Sequence, residues 1–187
     1  MLLWLRRNVF WLRVEAALTV VSLLAMGVAE PLRGPSEKDL LDALGRRIVT
    51  VLEHASLTEH HDHGHDIAQG DRVLCAAEAF GHEPADARRI EEVRWAYAYY
   101  LCAAAPAGTP WDVAPRISGP VAVQLSEPPV VRIAQSGAGY PDRVKALIPA
   151  RYQARVNGFT DSSIPDSLRK RYAAEVADTP ATPQSTP

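Results

Sequence analysis

Between His60 and Asp66 the chain gathers four imidazoles and two carboxylates into seven residues, His60-His61-Asp62-His63-Gly64-His65-Asp66. Neutral imidazole ligates Zn²⁺, Cu²⁺ and Ni²⁺, and carboxylates complete such sites. Gly64 would let the backbone turn the rings of His63 and His65 inward. Two features of familiar zinc chemistry are absent: a second ligand cluster at structural-site spacing, and a His-Glu-x-x-His helix. The plain reading is a solvated, histidine-rich loop that binds metal weakly. The sharper one is a transition-metal site built from His60, His61, His63 and His65.

Cys75 and Cys102 are the only cysteines. If the strands that carry them pair as a hairpin around Gly81–Arg89, the two sulfurs come opposite each other. A bridge across this separation would stabilise the fold by roughly 3.5 kcal/mol on loop-entropy grounds. Two alternatives stand beside it. Both thiols could be separate small hydrophobes in a core, or one could be a nucleophile activated by His82. An even cysteine count in an exported chain favours the disulfide.

Trp95, Tyr97 and Tyr99 make an aromatic stripe on one face of a strand. Such a stripe is either the core face under a helix or, if helices cover the opposite face, a surface for a protein or glycan partner. Other motifs are weak. Ser136-Gly137-Ala138-Gly139 leads from a strand into a helix, but Asp142 stands where a dinucleotide-binding turn needs glycine, and an acid there repels phosphate. Arg169-Lys170-Arg171 is a short basic run on a helix face. No Gly-x-Ser-x-Gly elbow, Ser-x-x-Lys pair or Walker loop occurs, and no catalytic residue is assigned.

These residues sit on elements whose periodicity is readable. Ser36 and Asp39 open a helix over about 37–54, with Leu40, Leu44, Ile48, Val51 and Leu52 on one face. Strands follow at about 72–80, 90–102, 121–125 and 130–134, the second marked by aromatic and β-branched residues at period two. Pro128 and Pro129 lack an N–H and make the last link a turn or an edge. A helix starts at Tyr140-Pro141-Asp142, is interrupted at Pro149 and resumes to about Val156; a last one starts near Pro165. The order α, β, β, β, β, α, α predicts an α+β domain: an antiparallel sheet of about four strands with helices packed on one face.

Ahead of this domain stand Arg6, Arg7 and Arg13, then an apolar run from Ala16 to Ala29 that closes on Gly27-Val28-Ala29. That is the order of a secretory leader with small residues before its cleavage point. As a helix the run reaches only roughly 21 Å, short of a hydrocarbon layer of about 30 Å. An uncleaved anchor that recruits Val9–Leu12 is the alternative, and it must absorb Arg13 and Glu15. Either way the arginines hold the N-terminus inside and place the rest outside the cytoplasm. The expected organisation is a leader or anchor at 1–29, one extracytoplasmic domain at 30–178, and a Pro/Thr/Ser tail at 179–187 that stays disordered.

The formal charge is −2, and loss of Arg6, Arg7, Arg13 and Glu15 with the leader takes it to −4. A mildly acidic domain without a basic stripe is a poor match for nucleic acid.

The segments Val73-Leu74-Cys75, Phe80-Gly81, Pro84, Val93, Tyr97-Ala98-Tyr99, Leu101-Cys102, Pro120–Val123 and Pro128–Val131 resemble small exported proteins of actinobacteria. That resemblance spans about residues 70–150 and implies export and paired thiols, with no activity attached. The combined expectation is a secreted or envelope-anchored, non-catalytic binding protein. Its partner would be a protein or a cell-envelope component, with the membrane reached through the N-terminus if the leader is retained. Metal binding through the histidine cluster is the alternative function.

Overall fold

The computed structural model describes residues 36–55, 68 and 70–179. The leader, the histidine cluster and the tail from residue 180 lie outside the described residues. The described residues from Glu37 onward form one compact unit. No described helix is long and apolar enough to cross a membrane.

The α+β architecture is as the periodicity predicts. Helix α1 (Glu37–Glu53) is followed by strands β1 (Arg72–Glu83), β2 (Trp95–Ala105), β3 (Arg116–Gln124) and β4 (Val130–Ile133), then helices α2 (Tyr140–Leu147) and α3 (Ser163–Tyr172). Short 3₁₀ turns occupy Ile90–Glu92, Trp111–Val113 and Ala150–Arg155. The strands form one antiparallel sheet in the order β1-β2-β3-β4, so β1 and β4 are its edges.

Helices cover both faces of this sheet, where the periodicity suggested one. On β2, Ala96, Ala98, Tyr100 and Cys102 lie in the core beneath α1, together with Leu40, Leu44, Ile48 and Leu52. The alternate residues pack against the C-terminal elements: Tyr97 with Val144 and Ile148, and Ala103 and Ala105 with Leu168 and Tyr172. The reason lies in the alanines. Beside large aromatics they suggest a bare outer face, yet Ala96 and Ala98 are fully buried because small side chains let a helix approach closely. A strand apolar at both parities is one that is covered on both sides.

Pairing of β1 with β2 sets Cys75 opposite Cys102, and Ala79 opposite Ala98, but Gly81 opposite Tyr97. Phe80 is therefore the extra residue of a β-bulge. A bulge switches which face later side chains address. Up to Ala79 the odd residues of β1 face α1; beyond the bulge His82 does. Without Phe80, His82 would point to the opposite layer.

β3 begins five residues before the strand that its apolar run marks, because Gly119 and Pro120 disguise it. Pro120 stands opposite Tyr99, and β4 pairs with β3 only from Val121 onward. The missing N–H of Pro120 falls where no neighbouring strand needs it.

Candidate binding groove

β1 is an edge strand, and an edge leaves every second residue with its N–H and C=O turned away from the sheet. Cys75 is such a residue. Its N–H donates to Glu53 Oε1 at 2.6 Å, and its C=O accepts from Arg171 Nη2 at 2.9 Å. Glu53 closes α1 and Arg171 lies near the end of α3. The two also form a short ion pair with each other, so both helices are tied across the strand edge at one peptide unit. The side chains occupy the positions that a neighbouring strand's C=O and N–H would take.

Beyond this clamp, α1 and α3 flank the rest of the β1 edge and enclose a groove of about 570 Å³. Its floor is Cys75–Ala79, with Leu41 and Val49 on one wall and Ile164 and Leu168 on the other. Gly45 is where α1 comes closest: a Cβ there would lie 3.0 Å from the carbonyl oxygen of Ala77. At the far end Glu78 turns under the loop that precedes α3. Its carboxylate accepts the backbone N–H of Thr160 at 2.6 Å and of Asp161 at 3.3 Å, along with the Thr160 hydroxyl.

A second polar cluster lies at the other end of β1. The buried His82 places Nδ1 2.9 Å from the Pro84 carbonyl oxygen and Nε2 3.2 Å from Glu37 Oε1. Tyr152 receives the His82 N–H at 3.3 Å and donates its hydroxyl to the His82 carbonyl at 3.0 Å. Glu83 accepts from the Tyr97 hydroxyl and from Arg151, each at 3.0 Å. Burial, aided by that bond to a carboxylate, pushes the Tyr97 phenol well above the ordinary tyrosine range. Every polar group here is engaged with a neighbour, which makes the cluster a fastening between α1, β1 and the 150–155 turn.

Cys75 and Cys102 are joined in a disulfide with their Cα atoms 4.1 Å apart, and no described cysteine is free. That separation fits a facing pair that exchanges no ladder hydrogen bonds. It also removes the thiol that a Cys–His nucleophile needs. The aromatic stripe lies within the second layer. Tyr97 is 5 % exposed, with its ring 5.6 Å from that of Tyr152; Tyr99 meets Phe159 edge-on at 5.2 Å; and Arg132 lies over Trp95 at 4.9 Å. Tyr140–Phe159 thus roofs the face that sequence reasoning considered for a partner.

His60, His61, His63 and His65 fall outside the described residues. Among the described residues no group of three or more His, Cys, Asp or Glu side chains is placed to hold a metal ion. In the Ser136–Gly139 turn, carbonyl groups converge on a cation: Arg143 donates to the carbonyls of Gln135, Ser136, Gly137 and Ala138 at 2.7–3.3 Å. That is the opposite polarity to a phosphate cradle.

The groove residues escaped sequence reasoning for one evident reason: Glu53 and Arg171 are 118 positions apart. Gly45 did leave a signal, as a lone glycine inside a strongly amphipathic helix often marks a close backbone approach. No family model, curated protein or solved structure matches the chain.

Proposed function

We propose that this chain is an exported, non-catalytic binding protein whose α+β domain works outside the cytoplasm. On this reading the groove between α1 and α3 is its contact surface for a protein or cell-envelope component. The observation that carries it is the built form of the groove. Two helices flank the β1 edge, apolar walls alternate with hydroxyl and charged groups, and a partly buried ion pair holds the walls at a set distance. The paired cysteines agree, though weakly, with an oxidising compartment. The leader-like N-terminus supports delivery there.

The test is site-specific photo-crosslinking in the native host. A photoreactive residue in place of Ser167, inside the groove, should give a discrete adduct in the extracytoplasmic fraction. The same residue in place of Val113, 70 % exposed and away from the groove, should give none. Full-length chain in the cytosol with both thiols reactive would overturn the reading.

A second reading, transition-metal binding, is favoured by the density of imidazoles at His60, His61, His63 and His65. It requires that untagged protein retain a stoichiometric metal through dialysis and lose it when His63 and His65 become alanine. Metal-free protein whose melting ignores added zinc would dismiss it.

A further inference from the structure

Tyrosines aside, His82 is the only buried polar side chain among the described residues, at 1 % exposed. The bulge at Phe80 turns it toward α1, where both ring nitrogens meet oxygen. Nδ1 lies 2.9 Å from the Pro84 carbonyl oxygen and Nε2 lies 3.2 Å from Glu37 Oε1. A peptide carbonyl has no hydrogen to give, and neither has a carboxylate. A neutral imidazole carries one N–H and one lone pair, so one of these contacts would set lone pair against lone pair. Only the doubly protonated ring donates to both.

The surroundings fit that form. Glu37 Oε2 faces Arg88 Nη1 at 3.9 Å, a partner for a carboxylate and not for a carboxylic acid. From the 150–155 turn, Arg151 and Tyr152 reach the His82 backbone carbonyl, at 3.4 and 3.0 Å, and leave the ring alone. Arg151 is itself paired with Glu83 at 3.0 Å. On β2 the residue opposite is Ala96, which carries no charge. Among the described residues, Glu37 is thus the charged group set against the ring.

What this contact holds is the first turn of α1. Glu37 is the first residue of the helix, and Leu40, Leu44, Ile48 and Leu52 seat the rest of it in the core. Loss of the ring proton would replace a charge-assisted hydrogen bond with a lone pair facing a carboxylate. The first turn would let go while the helix beyond it stayed docked. In the sequence this turn comes shortly after the apolar run that ends at Ala29.

We infer that His82 and Glu37 form a proton-operated latch, which fastens the start of α1 to β1 while the ring is doubly protonated and opens as pH rises. The sign follows from linkage. The fastened state binds a proton that the open state gives up, so fastening is complete on the acid side and is lost with rising pH. The latch stands or falls independently of what the groove binds.

Two measurements on the oxidised full-length chain test it. With isotope-labelled histidine, nitrogen NMR should show both ring nitrogens of His82 protonated at neutral pH. Hydrogen exchange then reads the latch itself, because it reports local opening. The Leu41 amide closes the first turn on the Glu37 carbonyl, and the Ile48 amide lies in mid-helix. Exchange chemistry scales alike with pH at both amides, so their ratio cancels it. Protection of Leu41 relative to Ile48 should fall roughly tenfold between about pH 6 and pH 9, the scale of one hydrogen bond to a charged group. In Glu37→Gln the carboxamide can donate to a neutral Nε2, so the ratio should stay level. An Nε2 without its proton at neutral pH, or a level ratio in the parent as well, would overturn the latch. Should Glu37→Gln fail to fold, the ring nitrogens and the parent's own ratio still decide.

Discussion

Single side chains hold this fold at places where an edge or a bulge leaves backbone exposed. Gly81 is one. A Cβ there would lie 2.5–2.6 Å from ring atoms of Tyr152, and that ring is held between Tyr97 and its hydroxyl bonds to His82. The ring cannot retreat without breaking those bonds. Gly81→Ala should therefore cost about 1–3 kcal/mol, as overpacking does, read as a lower urea midpoint with altered near-ultraviolet dichroism. Glu53 and Arg171 form the other such point. Glu53→Ala leaves the Cys75 N–H without its acceptor and the guanidinium with only the Cys75 carbonyl and the more distant Glu175 carboxylate, and Arg171→Ala removes the donor to the Cys75 carbonyl. Each should cost about 1–3 kcal/mol, the range for removing one partner and leaving a buried donor or acceptor unsatisfied. Because the two act as one clamp, the double variant should lose clearly less than the sum, which urea denaturation of all four proteins would reveal. Strict additivity would show that the pair is two independent contacts.

Among the elements, the β1–β2 hairpin carries most of the organisation. Its disulfide closes a separation of 27 residues, so the Cys75→Ala/Cys102→Ala protein should be less stable by about 3.5 kcal/mol on the loop-entropy account. Chemical denaturation of that variant against oxidised parent measures this directly. The hairpin also shows where periodicity succeeds and where it fails. Helix α1 ends within a residue of its sequence reading, because its apolar positions recur at 3.6 and its outer face is charged. The strand expected from Ile90 begins only at Trp95. Ile90–Glu92 turn instead as a 3₁₀ segment in which Arg89 pairs with Glu92 at 2.7 Å. An apolar residue next to two acids reads as the start of alternation, but a local ion pair three residues apart favours a turn. The Phe80 bulge left no mark in the alternation, since alanine and phenylalanine suit either face.

At the scale of the whole molecule, burial on both sides of the sheet has a consequence for pH. The phenols of Tyr97, Tyr100, Tyr140 and Tyr172 are all pushed above the ordinary tyrosine value, chiefly by burial. The folded chain keeps protons that the unfolded chain releases above about pH 10. The stability these groups contribute is whole below that pH and is lost as pH rises further. Absorbance at 295 nm should accordingly show most tyrosines ionising late, in one step with the loss of tertiary dichroism. Independent titration near the free value, with the fold intact, would contradict the packing described.

Some properties of this protein were written locally and therefore legible in the chain: the 3.6-residue period of α1, four strands in order, the placement of Cys75 and Cys102 on strands that could face each other, and the breaks at Pro128 and Pro149. Each depends on residues within a turn or two of one another. Whether alanines or aromatics of β2 lie outermost, which way His82 points past the bulge, and how Glu53 meets Arg171 across 118 positions were settled only by tertiary structure. Those outcomes depend on which distant surfaces meet, and side-chain size and polarity along a strand carry no record of that.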